Sequence, residues 1–120
     1  MSILIVDDSK AMRMIVRRTL RQAGYHHDLE EASSGADALK AVESDQVELV
    51  LCDWNMPEMN GLELLGRIQA LGRPIRFGFV TSESSSEMRT LAEQSGAQFF
   101  ITKPFTPDVF RSVLEPILGA

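Results

Sequence analysis

Five short apolar runs alternate with longer amphipathic stretches along these 120 residues, and that alternation restricts the fold more than any other feature. The runs fall at residues 3–6, 29–32, 49–52, 77–80 and 99–101. Four of them are continuously apolar, as strands covered on both faces should be. The run at 29–32 is interrupted by Glu30 and Glu31, which suits an exposed edge strand. Repeated strand-then-helix units predict an α/β fold: a parallel sheet with helices on both faces, joined by right-handed crossovers. No internal repeat, linker or low-complexity segment interrupts the pattern, so residues 1–120 are expected to form one domain.

The helical stretches carry readable starts. Asn60 with Glu63, and Ser84 with Glu87, have capping-box spacing. Thr106-Pro107-Asp108 combines a capping hydroxyl, a proline at the first helical position and a carboxylate at the positive helix end. Ser34 is the expected cap of the second helix. Met12, Ile15, Val16 and Leu20 form the inward stripe predicted for the first helix, and Leu62, Leu65 and Ile68 that of the third. Pro116 should kink or fray the last helix, because it lacks an N–H.

Composition narrows the function. Seventeen acidic residues against 12 basic ones give a net charge of −5, which argues against a nucleic-acid surface. Arg13, Arg17, Arg18 and Arg21 cluster locally and read as a solvated helix face. The single cysteine, Cys52, permits no internal disulfide and suits a reducing, cytoplasmic setting. No basic leader and no apolar run near the ~20 residues of a membrane span are present, so neither secretion nor membrane insertion is expected. His26 and His27 are adjacent and lack metal-site spacing.

In sheets of this kind chemistry collects at the carboxyl ends of the strands. Past the first run come Asp7 and Asp8, past the third Asp53, past the fourth Thr81 and Ser82, and past the fifth Thr102 and Lys103. Two carboxylates ~4 Å apart repel by roughly 4 kcal/mol at an effective dielectric near 20. A hard divalent ion with oxygen ligands keeps such groups charged, and magnesium, which retains several waters, suits a rim this sparse in protein ligands. Lys103 adds a point positive charge and Thr81 a hydroxyl donor for an incoming phosphoryl group.

The pattern Asp7-Asp8-Ser9, Asp53-Trp54-Asn55-Met56-Pro57, Gly61, Thr81-Ser82 and Lys103-Pro104-Phe105 closely resembles CheY-like response-regulator receiver domains. The resemblance covers the whole chain in order and spacing. It implies a doubly wound, flavodoxin-like fold: five parallel strands in the order 2-1-3-4-5, with five helices. It implies that Asp53 is the phosphoacceptor, with magnesium held by the carboxylates of Asp8 and Asp53 and the backbone carbonyl of Asn55, and by Asp7 through a water. Thr81 and Phe100 would be the switch residues, and Lys103, before a cis Pro104, would contact the phosphoryl group. Asn55 and Glu83 occupy positions that influence aspartyl-phosphate lifetime. Motility-type receivers carry tyrosine where this chain has Phe100, which weakens assignment as a flagellar-motor regulator.

By the same resemblance, a histidine kinase or histidine phosphotransfer protein supplies the phosphoryl group. An unidentified protein target would bind the face formed by the fourth helix, fifth strand and fifth helix. Such a chain catalyses only its own phosphorylation and dephosphorylation, and with no output domain in the sequence a stand-alone regulator is expected. Two other readings are weaker. A magnesium-dependent phosphohydrolase would show Asp-x-Asp after the first strand rather than Asp7-Asp8, and a pseudo-receiver would lack one of the key residues. Trp54, beside Asp53, is expected to be partly exposed at the rim, and Cys52 to be an inert core thiol.

Overall fold

β1 (Ser2–Val6) is buried along its whole length and lies between β2 (Asp28–Ala32) and β3 (Val47–Cys52), paired in parallel with both. β3 pairs with β4 (Arg76–Thr81), and β4 with β5 (Phe99–Thr102), giving the order β2-β1-β3-β4-β5. The computed structural model describes residues 1–44 and 46–119, so Asp45 and Ala120 of the expected 1–120 unit lie outside the described residues. The acid-interrupted run is the edge strand that Glu30 and Glu31 predict.

Crossovers of one hand fix where the helices go. The chain first steps outward from β1 to β2, then back across β1 to β3 and onward, so α1 (Lys10–Gln22) falls on one face. α2 (Gly35–Ala41), α3 (Gly61–Gln69) and α4 (Ser86–Gln94) fall on the other, and α5 (Pro107–Leu118) returns to pack against α1. Alternate strand residues feed the two cores. Ile3, Ile5, Leu49, Leu51 and Ile101 meet Val16 and Leu20 of α1 and Phe110 and Leu114 of α5. Leu4, Val6, Val50, Cys52, Phe77 and Phe79 meet Ala38 of α2, Leu64, Leu65 and Ile68 of α3 and Ala92 of α4. Full burial of a side chain such as Leu114 or Phe110 contributes about 1.5–3 kcal/mol.

The caps at Ser34, Asn60 and Thr106 form as expected, each side-chain oxygen accepting the N–H three residues on, from Asp37, Glu63 and Val109. The fourth helix is capped by Ser85, not Ser84: its hydroxyl accepts from Met88. Three serines stand in a row at 84–86, and composition alone does not choose among them. Ile15 is not part of the core stripe of α1; it is 44% exposed, while Thr19 is buried with its hydroxyl bonded to the Ile15 carbonyl at 2.8 Å. In α3 it is Leu64, with Leu65 and Ile68, that is buried, whereas Leu62 is only half-buried. α5 continues past Pro116 to Leu118, and the next turn still closes through Gly119 N–H to the Glu115 carbonyl at 2.8 Å. No helix among the described residues is long and apolar enough to cross a membrane.

Candidate functional site

Reversal of the chain's direction between β1 and β3 leaves a crevice at their carboxyl ends, and main-chain bonds hold the rim around it together. Asp7 N–H donates to the Ala32 carbonyl at 3.1 Å, Asp53 N–H to Val6 at 2.9 Å, and Lys103 N–H to Thr81 at 2.9 Å. These bonds tie the end of β3 to that of β1 and the end of β5 to that of β4, and the β3–β4 ladder joins the two pairs. Carboxylate oxygens of Asp7, Asp8 and Asp53 all lie within 4.8 Å of one another.

The three acids differ in surroundings. Asp7 is buried, and one oxygen accepts the Ser9 N–H at 2.9 Å while the other accepts Lys103 Nζ at 3.2 Å. Burial raises its carboxyl above the ordinary range, and the negative charge of Asp53 adds to this. The Ser9 N–H and the Lys103 ammonium oppose the rise without cancelling it. Asp53 is partly buried, 3.8 Å from the same ammonium. Asp8 is exposed, and among the described residues no hydrogen bond or ion pair reaches its carboxylate. An all-oxygen donor set around surplus negative charge fits a hard divalent cation better than a soft one.

The remaining predicted residues gather beside them. Thr81 is fully buried, its hydroxyl accepting the Glu83 N–H at 3.3 Å. Asn55 Nδ2 donates to Glu83 Oε1 at 2.5 Å, so the two residues expected to govern phosphate lifetime touch directly. The Lys103–Pro104 bond is cis. Gly61 is required by close approach: a Cβ there would come within 2.5 Å of the Asp53 carbonyl oxygen and within 2.7 Å of the Phe79 ring. Its N–H donates to the Trp54 carbonyl at 2.8 Å, docking the start of α3 under the site. A cavity of about 590 Å³ lined by Val47, Glu48 and Ile75 is lined by none of these acids.

Two features depart from the sequence reading. Trp54 is buried, at 7% exposure, with its ring 4.8 Å from Phe79 and 6.4 Å from Phe100. The α1 arginines are not a merely solvated face. Arg13 and Arg17 grip the Glu31 carboxylate at 2.9 Å each, Arg13 also donates to the Asp7 carbonyl at 2.6 Å, and Arg21 donates to the carbonyls of Tyr25 and His27. Phe100 and Phe99 point to opposite faces, as neighbouring strand residues must. Phe100 packs 5.9 Å from Phe79 and lies under the Arg89 guanidinium at 4.9 Å, and that arginine bonds Thr102 Oγ1 at 2.6 Å. Arg13 and Arg89 were not among the predicted residues. A helical side chain leans toward the N-terminus, so Arg13 could have been placed over the loop before α1, but nothing local marks Arg89.

A doubly wound sheet with an acid triad, a hydroxyl and a lysine at its switch point is the arrangement expected of a receiver domain. Comparison with known proteins agrees. A family model described as the response regulator receiver domain matches residues 3–115. The chain is similar to chemotaxis protein CheY1 of Helicobacter pylori, 38% identical over 122 residues that cover 99% of this chain and 98% of that protein. It is similar to the chemotaxis protein CheY homolog of Campylobacter jejuni, 39% identical with 99% and 93% covered. Among solved structures, chemotaxis protein CheY4 of Vibrio cholerae superposes with a TM-score of 0.86 at 30% identity, covering 98% of both chains. The chain belongs to the response regulator receiver domain family and is CheY-like.

Proposed function

We propose that residues 1–120 act as a receiver unit that accepts a phosphoryl group on Asp53 and thereby changes its affinity for a protein target. The observation that carries this reading is the Lys103 ammonium held between Asp7 at 3.2 Å and Asp53 at 3.8 Å, with Asp8 completing the acid group. Asp8 and Asp53 would hold magnesium through their carboxylates, Asn55 through its backbone carbonyl and Asp7 through a water. Bound there, the ion would offset the charge of the acids and of the entering phosphoryl group.

The chain's own residues do the rest. An Asp53 carboxylate oxygen forms the new bond to phosphorus as the phosphorus–nitrogen bond of a phosphohistidine breaks, and the imidazole leaves with a proton. Lys103 turns part of its charge from Asp7 to the phosphoryl oxygens, and the Thr81 hydroxyl donates to them. Movement of Thr81 vacates space beside Phe100, and the face of α4, β5 and α5 changes shape. The donor is a histidine kinase or a histidine phosphotransfer protein, and the chemistry is confined to the chain's own phosphorylation and its reversal. A cytoplasmic regulator with a protein target on that face is the setting that fits. Names of the relatives favour chemotaxis, although Phe100 offers a partner no ring hydroxyl.

Incubation with a small phosphodonor and magnesium, followed by intact mass, tests the reading. One added phosphoryl group is expected, lost on chelation and in Asp53→Asn; undiminished labelling of that variant would overturn it.

A further inference from the structure

We propose that Arg13 is the positioning residue of the acid pair: it fixes the peptide plane between Asp7 and Asp8 and so aims the Asp8 carboxylate into the cation site. This rests on the magnesium reading of the site given above. The starting point is an asymmetry. Asp7 is held by its own side chain, through Ser9 and Lys103, whereas no hydrogen bond or ion pair among the described residues holds the Asp8 side chain. Its direction is therefore set by its main chain.

Six atoms from Cα of Asp7 to Cα of Asp8 lie in one rigid plane. Arg13 Nη1 donates to the Asp7 carbonyl oxygen in that plane at 2.6 Å, while Asp7 N–H to Ala32 at 3.1 Å fixes the plane before it. The guanidinium is itself immobilised. Its Nε donates to Glu31 Oε1 at 2.9 Å, Arg17 takes the other oxygen of the same carboxylate at 2.9 Å, and the Arg13 side chain is only 13% exposed. Burial would raise the Glu31 carboxyl, but the hydrogen bonds from Arg17 and Arg13 outweigh it and hold the group below its ordinary value, so it stays charged. Edge strand β2 thus braces α1, and α1 braces the loop that carries Asp8. Only a planar fork can take the carboxylate and the carbonyl together.

Charge and geometry predict opposite effects here. Removing a positive charge beside a cation site, if charge were all that mattered, would tighten magnesium binding. Removing the brace should weaken it, by about tenfold, the lower end of what outer-shell partners of metal ligands are worth. Magnesium chloride is titrated calorimetrically into the full chain, wild type, Arg13→Gln and Arg13→Lys, with metal-free thermal melts alongside. The proposal expects a dissociation constant about tenfold higher in Arg13→Gln. It expects a weakening of the same sign in Arg13→Lys, which keeps the charge but not the fork. An unchanged or lower constant in folded Arg13→Gln overturns it, even if the metal-free melting temperature falls, because that is the mark of a merely structural arginine. Should Arg13→Gln not fold, Arg13→Lys decides, and wild-type affinity there overturns the proposal. No saturable binding in wild type would overturn the reading of the acid cluster itself, and this proposal with it.

Discussion

Lys103 Nζ stands 3.2 Å from Asp7 Oδ2, an ion pair that joins residues 96 apart in sequence across the mouth of the site. Despite that pairing, burial keeps the Asp7 carboxyl above its ordinary value of 3.8. The folded chain binds this proton more tightly than the unfolded chain does. Asp7 therefore favours the fold fully below pH 3.8 and loses that advantage as pH rises through its elevated folded value. In chelator, Asp7→Asn should flatten this part of the stability curve and raise stability at neutral pH. Denaturant unfolding at a series of pH values checks it, and a less stable variant with the wild-type slope contradicts it.

Asp53→Asn should likewise stabilise the metal-free chain, since Lys103 keeps its closer partner while two carboxylates lose a like charge. Magnesium should stabilise the wild type by about 2.7 kcal/mol at a hundredfold excess over its dissociation constant, and the variant by much less. Thermal melts with and without the ion read both effects. Equal shifts in the two proteins would count against Asp53 as a ligand.

Thr81→Ala and Lys103→Ala should still accept a phosphoryl group yet fail to pass the change outward. Amide exchange with a beryllofluoride mimic is the measurement. Wild type should change protection across residues 82–105, and both variants should stay quiet there. Wild-type responses in both would remove Thr81 and Lys103 from the switch. The expected bias between states is about 1–3 kcal/mol.

Gly78 sits on β4 directly against the Phe99 ring of β5, and any Cβ there would overlap the ring. Gly78→Ala should destabilise by about 1–3 kcal/mol. Adding Phe99→Ala should recover part of that loss, because the clash and the ring disappear together. Simple additivity in denaturant unfolding would show that the ring moves aside freely.

Cys52 is fully buried, and its thiol is raised well above the ordinary 9.0, first by burial and then by the negative charges of Asp53 and Asp7. A thiol reagent at neutral pH should react only as fast as the fold opens, and mild denaturant should accelerate the reaction many-fold. Rapid labelling of the native chain would place Cys52 outside the core.

Apolar periodicity reveals which stretches are strands, and the residues just past them, Asp7, Asp8, Asp53, Thr81 and Lys103, therefore stand out in the sequence. Strand order follows from family resemblance, since nothing local says that β1 lies between β2 and β3. What periodicity leaves open is the rotation of a helix about its axis, which is why Ile15 faces water and Leu64 the core. Trp54 was misplaced for a related reason. Position in sequence puts it at the rim, but the Phe79 and Phe100 rings supply an apolar slot that only the assembled sheet creates. The contact of Arg89 with Phe100 depends on a tertiary distance and leaves no pattern to read.

β2 ends the sheet on one side with Asp28, Glu30 and Glu31 along a five-residue strand. Charged side chains interrupt the apolar run on that rim, although the Glu31 carboxylate is taken up by Arg13 and Arg17. A strand edge is a template for fibre growth, and a short strand carrying charged side chains blunts it. The run that looks weakest as a strand is for that reason well suited to close the sheet.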